Sequence, residues 1–275
     1  MYKILKKEIL SENVARFIID SEIIAKSRKP GQFVIIRVDK RGERIPLTIA
    51  DADEKNGTIT LIVQKVGTTT HKLFNLNEGD ELVDLVGPLG KPTEIEKIGT
   101  VVAAGGGVGI APLYPIAKGF KDAGNKLITI LAARTKELLI LEDEMREFSD
   151  EVVVMTDDGS YGKKGLITAG LEEVIKREKV DTVVTIGPAI MMKFVALLTK
   201  KYDIHTIASL NTIMVDGTGM CGACRVTVGG KTKFVCVDGP EFNAHEVDFD
   251  EMLKRLNAYK PEEELSYKQY LESIK

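Results

Sequence analysis

The chain has 275 residues, of which 44% are hydrophobic, so it can bury a substantial core and is expected to form two domains with a small appendage. Its 38 basic and 41 acidic residues give a net charge of -3, which provides no electrostatic basis for binding nucleic acid. The N-terminal segment lacks the apolar core of a signal peptide, and no segment approaches the roughly 18 apolar residues that span a bilayer. We therefore expect a soluble, cytoplasmic protein with no membrane or nucleic-acid partner.

Residues 1–97 contain many short strand-like segments separated by turns, a pattern that predicts an antiparallel β-barrel. One short helix is expected from Thr69 to Leu76. The predicted strands are Tyr2–Leu10, Val14–Ile19, Gln32–Val38, Thr58–Val66 and Glu81–Val86.

Residues 98–208 alternate apolar strands with amphipathic helical stretches, which predicts a parallel sheet covered by helices on both faces. The predicted strands are Val101–Ala104, Lys126–Ala132, Val152–Met155 and Thr182–Ile186. The predicted helices are Ile110–Ala123, Leu139–Phe148, Leu166–Arg177 and Ala189–Lys201.

A glycine-rich turn, G-G-G-V-G-I-A-P, joins the first of these strands to the first helix. Glycines at such a turn let the backbone approach a pyrophosphate, and the helix N-terminus offers unpaired N–H groups. The alternative is a tight connection that binds nothing, but the preceding strand and the following helix favour a dinucleotide site. The residues of this turn that we assign to the nucleotide are Gly105, Gly106, Gly107, Gly109, Ala111 and Pro112.

Polar loops follow three further strands of the predicted sheet. Arg134 follows the second strand, Asp157 the third, and the pair Gly187 and Pro188 the fourth. Each loop could be an ordinary connection, but carboxyl ends of parallel strands share one edge, where such sheets bind ligands. We therefore add these four residues to the predicted nucleotide site.

Residues 209–245 hold all three cysteines in the series D-x4-C-x2-C-x11-C, formed by Asp216, Cys221, Cys224 and Cys236. This is the spacing of a plant-type [2Fe-2S] site with a carboxylate in place of the first thiolate. The alternatives are a zinc site completed by His245, or three small buried hydrophobic residues. The surrounding glycines suit a loop that turns its N–H groups towards bridging sulfides, which favours the iron-sulfur interpretation.

The charged tail, residues 246–275, is predicted to form short helices at Asp248–Leu256 and Glu262–Ile274 or a partly ordered arm. In the barrel, the polar stretches Arg44–Ala50 and Val63–Leu73 interrupt otherwise apolar strands. The segment Gly67–Thr70, a glycine followed by hydroxyls at a helix start, suits a phosphate, although Thr70 could simply cap the helix.

These motifs together resemble the ferredoxin reductase superfamily, in which a barrel, a nucleotide domain and an iron-sulfur module are combined. The C-V-D-G-P that begins at the third cysteine is similar to the electron-transfer subunits of class B dihydroorotate dehydrogenases. The Asp-for-Cys change and the segment E-R-I-P-L-T-I-A-D resemble the small subunits of NADH-dependent ferredoxin:NADP oxidoreductases, also described as sulfide dehydrogenases. The resemblance covers about residues 2–245.

The resemblance implies FAD between the barrel and the nucleotide domain, with the isoalloxazine ring at Pro46, Leu47 and Thr48 and the pyrophosphate at Gly67, Thr69 and Thr70. Val63 and Gln64 belong to the same implied flavin site. The superfamily motif has Arg three residues before the Ser or Thr, whereas here Ile45 occupies that position and Arg44 precedes it.

The function that the resemblance implies is transfer of hydride from NADH or NADPH to FAD and then of single electrons to the [2Fe-2S] cluster. No protein acid or base is required, so we assign no catalytic side chain. The implied partner is a larger iron-sulfur flavoprotein subunit that reaches ferredoxin in an electron-bifurcating heterodimer. The alternatives are a dihydroorotate dehydrogenase electron-transfer subunit and a non-catalytic zinc and nucleotide-binding regulator.

Overall fold

The first unit of the structure, a computed structural model that describes residues 2–274, is a barrel of antiparallel strands. Its strands are β1 (Tyr2–Ser11), β2 (Val14–Asp20), β3 (Phe33–Arg37), β4 (Arg44–Asp53), β5 (Thr58–Gln64), β6 (Glu81–Leu82) and β7 (Asp84–Leu89). They pair in the order β6-β1-β2-β5-β4-β3-β7. The edge strands β6 and β7 are joined by Val83, whose N–H donates to the Arg37 carbonyl at 3.1 Å. The sheet therefore nearly closes, which confirms the predicted barrel.

Strand β4 is the part of the barrel that the sequence pattern does not predict. Arg44–Asp53 mixes charged residues, Pro and Thr with apolar residues, and so resembles an interruption. In the structure β4 pairs with β3 on one side and with β5 on the other. Pairing on both sides satisfies its backbone groups and outweighs its weak strand propensity. Two helices accompany the barrel, α1 (Glu22–Ser27), which was not predicted, and α2 (Thr68–Phe74).

The second unit is a parallel sheet with the strands β8 (Thr100–Gly106), β9 (Lys126–Ala133), β10 (Glu151–Thr156), β11 (Lys163–Lys164), β12 (Thr182–Ile186) and β13 (His205–Ser209). Their order is β11-β10-β9-β8-β12-β13. The chain moves outward from β8 in one direction and resumes on its other side at β12. The carboxyl ends of β8 and β12 therefore form the crevice where open α/β sheets bind ligands.

Helices cover both faces of the parallel sheet, as predicted. The helices are α3 (Ile110–Asp122), α4 (Glu142–Arg146), α5 (Ile167–Arg177) and α6 (Ala189–Lys201). Residues of α3 and α4 pack in one core, which also includes Val14, Ala50 and Ile62 of the barrel, whereas α5 and α6 pack in the core on the opposite face. The two units thus share a continuous interior. Helix α4 is shorter than predicted, and β13 was not predicted. No helix among residues 2–274 is long and apolar enough to cross a bilayer.

The C-terminal part carries a hairpin of β14 (Arg225–Val228) and β15 (Lys231–Phe234), then α7 (Val235–Asp238), β16 (Glu241–Asn243), α8 (Phe249–Leu256) and α9 (Lys260–Ser273). Strand β16 pairs antiparallel with β13 and extends the parallel sheet. Helix α9 lies against α2, where His71 Nδ1 and the Tyr267 hydroxyl are 3.1 Å apart. The tail is therefore helical, and His71 is covered by α9 instead of lying on an open surface.

Candidate redox cofactor sites

The predicted isoalloxazine residues lie side by side on β4, and all three are half-buried. Thr48 pairs in register with Phe33, and Pro46 pairs with Ile35. Directly opposed residues of antiparallel strands place their side chains on the same face of the sheet. Pro46 and Thr48 therefore share one face of the barrel with two buried apolar side chains of β3, while Leu47 lies on the other face.

The predicted pyrophosphate turn follows β5. Val63 is buried in the barrel core and Gln64 is half-buried, so Val63 could contact a ligand only through its backbone. The buried Thr69 donates its hydroxyl hydrogen bond to Glu43 Oε2 at 3.0 Å. Because Glu43 immediately precedes β4, this contact joins the two predicted flavin segments, Arg44–Ala50 and Val63–Leu73.

The hydroxyl of Thr70 is engaged within its own turn. Thr70 Oγ1 accepts hydrogen bonds from the N–H groups of Val66 and Gly67, both at 3.0 Å, and donates to the Gly67 carbonyl at 3.1 Å. Gly67 stands at the N-cap of α2, and a Cβ built on it would meet no atom within 4 Å. Thr70 thus stabilises the first turn of α2, and the space beside Gly67 is open.

Arg44, the first residue of β4, has a buried Nε atom without a hydrogen-bond partner among the described residues. The same holds for Nε of its register partner Arg37, whose Nη2 atom pairs with Asp84 at 2.7 Å. A buried unpaired guanidinium nitrogen is costly, and a phosphate oxygen would satisfy it. Arg44 therefore fits an anionic cofactor at this position, although the sequence shows it only one place away from the superfamily motif.

Two glycine turns meet at the carboxyl ends of β8 and β12. Gly107 has φ +56 and open space around its missing side chain, so this backbone conformation favours glycine. A Cβ on Gly109 would lie 2.6 Å from the Ile186 carbonyl, because the turn after β8 packs directly on the turn that contains Gly187. Of the predicted residues, Gly105, Gly106, Gly109, Ala111 and Gly187 are buried, whereas Gly107, Pro112 and Pro188 remain accessible.

Arg134 and Asp157 lie at the same sheet edge and are exposed. The N–H of Asp157 donates to the Ala133 carbonyl at 3.1 Å, and the N–H of the next residue, Asp158, donates to the Arg134 carbonyl at 3.3 Å. A cleft of about 380 Å³ adjoins this edge, with a lining that includes Leu10, Lys136, Glu142 and Tyr161. The cleft could not be predicted from the sequence, because its lining comes from three separate stretches of the chain.

The four predicted cluster ligands form two pairs. Cys221 Sγ lies 3.1 Å from Asp216 Oδ1, and Cys224 Sγ lies 3.2 Å from Cys236 Sγ. The first pair includes the exposed Cys221, whereas both cysteines of the second pair are buried. A binuclear cluster takes two protein ligands on each iron, so two separate pairs are the arrangement it needs.

A single zinc ion would need all of its ligands around one point. Among residues 2–274, no group of three or more His, Cys, Asp or Glu side chains is arranged to hold one ion. His245 lies elsewhere, since its Nε2 atom is 3.0 Å from Thr199 Oγ1. The donor set therefore fits a binuclear cluster better than a mononuclear ion.

One residue of each pair, Asp216 and Cys236, has a shifted pKa. Hydrogen bonds from the Cys221 thiol, and then from Thr218 and Met220, lower the pKa of Asp216 to about 2. Burial and the neighbouring Cys224 raise the pKa of Cys236 to about 12. Asp216 is therefore an ionised carboxylate that can bind a cation, whereas Cys236 must lose its proton as a cluster enters.

The cluster loop packs directly on the barrel face that carries Pro46 and Thr48. A Cβ built on Gly217 would lie 2.7 Å from Ile35 Cγ1 and 2.7 Å from Leu89 Cδ1. Cys224 and Cys236 belong to the same buried core as Ile35 and Phe33. These two side chains share their face of the barrel with Pro46 and Thr48, so one apolar core separates the two predicted cofactor sites.

These features define a modular oxidoreductase in which a flavin barrel, a nicotinamide nucleotide sheet and an iron-sulfur loop are joined. Three family models agree, and together they confirm the predicted cofactor classes. The oxidoreductase FAD-binding domain matches residues 1–93, and the oxidoreductase NAD-binding domain matches residues 104–197. The iron-sulfur cluster binding domain of dihydroorotate dehydrogenase B matches residues 211–248.

The chain belongs to the family of dihydroorotate dehydrogenase B electron transfer subunits and their homologues. It is 52% identical to the Thermotoga maritima protein named as a homologue of that subunit, over 98% of this chain and 96% of the other. It is 32% identical to the Fusobacterium nucleatum subunit, over 88% and 95% of the two chains.

Two solved structures are similar to this chain. A chain in the structure of the NADH-dependent reduced ferredoxin-NADP oxidoreductase, which concerns flavin-based electron bifurcation, is 51% identical with a TM-score of 0.94 over 98% of both chains. Phthalate dioxygenase reductase, with 17% identity, a TM-score of 0.61 and coverage of 82% and 85% of the two chains, shares the fold.

Proposed function

We propose that this chain is the small subunit of an electron-bifurcating NADH-dependent ferredoxin:NADP oxidoreductase. It would pass electrons between a nicotinamide nucleotide and a larger iron-sulfur flavoprotein subunit. The observation that carries the proposal is the packing of the cluster loop at Gly217 against Ile35, the register partner of Pro46. This contact supports a cluster site next to the proposed flavin face of the barrel. The 51% identity over nearly the whole chain to the bifurcating oxidoreductase supports the choice of complex.

The roles of the individual residues are part of the proposal. Bound FAD would supply hydride acceptance, and a bound [2Fe-2S] cluster would supply single-electron transfer. Pro46, Leu47 and Thr48 would border the isoalloxazine ring, and Arg44 and the turn at Gly67 would hold the pyrophosphate. The nicotinamide nucleotide would lie along the edge formed by Gly107, Pro112, Arg134, Asp157 and Pro188.

We also propose that the chain divides functionally into residues 1–97 for flavin, 98–208 for the nucleotide, 209–245 for the cluster and 246–275 as a tail. The support is that the barrel strands end at Leu89 and the parallel sheet begins at Thr100. The cluster ligands all fall between Asp216 and Cys236.

The predicted cluster site has a buried side and an accessible side, because the two ligand pairs differ in exposure. Cys224 and Cys236 are buried on the side of the barrel, whereas Cys221 is exposed and its neighbour Asp216 is half-buried. The apolar residues around the Asp216 and Cys221 pair are also accessible, since Met220 is 89%, Val215 49% and Val237 40% exposed. Accessible apolar side chains around a redox centre suit a protein partner that excludes water there. We propose that the larger subunit docks on this side.

The experiment is purification of the complex from its native host, followed by analysis of subunits, flavin and iron. We expect a heterodimer with a larger iron-sulfur flavoprotein. This heterodimer should transfer electrons among NADH, NADP and ferredoxin. The exchange Met220→Asp tests the docking surface. It should release the partner but leave the flavin and cluster content of this chain unchanged. A chain that purifies alone and is fully active with a small-molecule acceptor would contradict the proposal.

A second candidate is the electron-transfer subunit of a dihydroorotate dehydrogenase. It is favoured by the names of the relatives and by the matching cluster-domain model. The electron path within this chain would be the same, so the two candidates differ in the partner. Co-purification with a dehydrogenase subunit that oxidises dihydroorotate would select this candidate, and its absence would select the first.

A further inference from the structure

Glu241 is a carboxylic acid placed where the three parts of the chain meet. It is the first residue of β16, where it pairs in register with Ser209 at the end of β13. It stands five residues after the cluster ligand Cys236. Its Oε1 atom accepts a hydrogen bond of 2.6 Å from the hydroxyl of Thr93, a buried residue in the segment that joins the barrel to the parallel sheet.

The backbone around Glu241 is tied to the end of the barrel. The N–H of Lys91 donates to the Gly239 carbonyl at 2.7 Å. A Cβ on Gly31 would lie 2.9 Å from Glu241 Oε1, so the carboxyl group touches the turn that leads into β3. A Cβ on Gly90 would lie 3.1 Å from Pro240 and 2.8 Å from the ring of Phe33. Glu241 is therefore held at the barrel end beside the apolar core that adjoins the cluster ligands.

The carboxyl group has little compensation for a negative charge. Thr93 is its hydrogen-bond donor among the described residues, and it takes part in no ion pair there. The charged residues within two positions of Thr93 and Gly31 are Lys91, Glu94 and Lys29, and all three are exposed. Burial raises the pKa of Glu241 to about 7; the Thr93 hydrogen bond opposes this rise and Glu94 adds to it. Glu241 thus titrates near neutral pH.

The separation from the cluster site is limited by the chain. Five residues span at most about 18 Å when fully extended, and part of this stretch is the helical turn α7, closed by the hydrogen bond from the Gly239 N–H to the Val235 carbonyl. An electron that arrives on the cluster adds one negative charge. A like charge nearby makes a carboxylate harder to ionise, and the effect grows as the carboxylate loses contact with water, as it does in part for the half-buried Glu241.

We propose that Glu241 binds one proton when the cluster is reduced and releases it when the cluster is reoxidised. The electron comes from the nicotinamide nucleotide through the flavin, and the proton comes from solvent, so that the carboxylate becomes a neutral carboxylic acid as the cluster gains its charge. The inference rests on the proposed function, since it requires an iron-sulfur cluster at Asp216, Cys221, Cys224 and Cys236. Glu241 acts through charge and touches no cluster ligand.

The test is a potentiometric titration of the cluster, followed by electron paramagnetic resonance, at pH values on both sides of 7 in the cofactor-loaded protein. We expect the midpoint potential to fall as the pH rises, because reduction is coupled to proton uptake. The exchange Glu241→Gln should abolish this dependence, since the amide keeps the acceptor for Thr93 but cannot titrate. The matched control is Glu96→Gln, which removes an exposed carboxylate of the same linker and should retain the dependence.

A second measurement tests the same inference if Glu241→Gln binds the cluster poorly. Redox-difference infrared spectra of the wild-type protein should show the carbonyl band of a protonated carboxylic acid on reduction. In Thr93→Val this band should appear at higher pH, because the hydrogen bond that opposes the rise of the Glu241 pKa is lost. A potential that does not depend on pH in the wild type, or an equal dependence in Glu241→Gln, would overturn the inference. If no cluster forms on the four ligands, the proposed function fails instead.

Discussion

Gly217 of the cluster loop lies against Ile35 of the barrel with no room for a side chain between them. A Cβ on Gly217 would come within 2.7 Å of Ile35 Cγ1, and the residue adopts φ +77, a conformation that glycine takes at no steric cost. Because Ile35 pairs with Pro46, this contact connects the cluster loop to the strand proposed to border the flavin. Packing at this glycine therefore sets the distance between the cluster loop and β4.

The exchange Gly217→Ala should separate the cluster loop from the barrel. The added methyl group overpacks the contact with Ile35 and Leu89, which costs about 1–3 kcal/mol, in addition to the strain of a positive φ. We expect cluster reduction after flavin reduction to slow down, as measured by rapid-mixing absorbance. Gly230→Ala is the matched control, because Gly230 has φ +72 but no atom within 4 Å of its built Cβ. Equal effects of the two exchanges would contradict the role of the contact.

The exchange Arg44→Ala should weaken FAD binding. The Arg44 Nε atom is buried without a partner among the described residues, and a hydrogen bond from a charged donor contributes about 1.5–3 kcal/mol. We expect the dissociation constant of FAD, measured by fluorescence titration of the flavin-free protein, to rise about tenfold to a hundredfold. Arg41→Ala removes an exposed arginine of the preceding turn and should change it little. Unaltered affinity in Arg44→Ala would place the pyrophosphate elsewhere.

Asp216 is predicted to be the fourth cluster ligand, and its pKa of about 2 keeps it ionised at neutral pH. In Asp216→Cys, a thiolate replaces the carboxylate, so the cluster should persist with a changed midpoint potential, because thiolate is the softer and more covalent ligand. In Asp216→Ala, one ligand is lost, and the iron content per chain should fall. Asp122→Ala, at the exposed end of α3, serves as the control. Full iron content and an unchanged spectrum in Asp216→Ala would exclude Asp216 as a ligand.

Most of the framework could be predicted from the sequence because hydrophobic periodicity is local. The apolar run of β9 and the amphipathic pattern of α6 were predicted within one residue of their observed bounds. Strand β4 was missed because its pairing with β3 and β5 depends on chain segments that are distant from it. Strand β13 is short and follows α6 closely, and its position is likewise fixed by pairing with β12.

The ligand types of the candidate site could be predicted from the sequence, but its electrostatics could not. The spacing of Asp216 and the cysteines carries the chemistry of a cluster within a single loop. In contrast, the hydrogen bond from Thr69 to Glu43 joins residues 26 positions apart, and the contact from Thr93 to Glu241 joins residues 148 apart. No local sequence pattern predicts such pairs, because the burial of their polar groups depends on the packing of the whole chain.

The titration of Glu241 should also make the stability of the protein depend on pH. Its pKa in the folded state is about 7, above the ordinary value of 4.5, so the folded protein binds more protons than the unfolded chain between these values. Stability should therefore fall as the pH rises through this window, by roughly 3 kcal/mol at most, since one pKa unit corresponds to about 1.4 kcal/mol.

The exchange Glu241→Gln should remove this loss. In chemical denaturation the variant should be more stable than the wild type above pH 7, whereas below pH 4.5, where the carboxyl group is neutral in both states, the two proteins should be nearly equal. Glu96→Gln, which changes an exposed carboxylate of the same linker, should leave the pH profile close to that of the wild type. A variant that is less stable than the wild type above pH 7 would show that the ionised Glu241 is stabilised by its surroundings, contrary to its single hydrogen bond from Thr93.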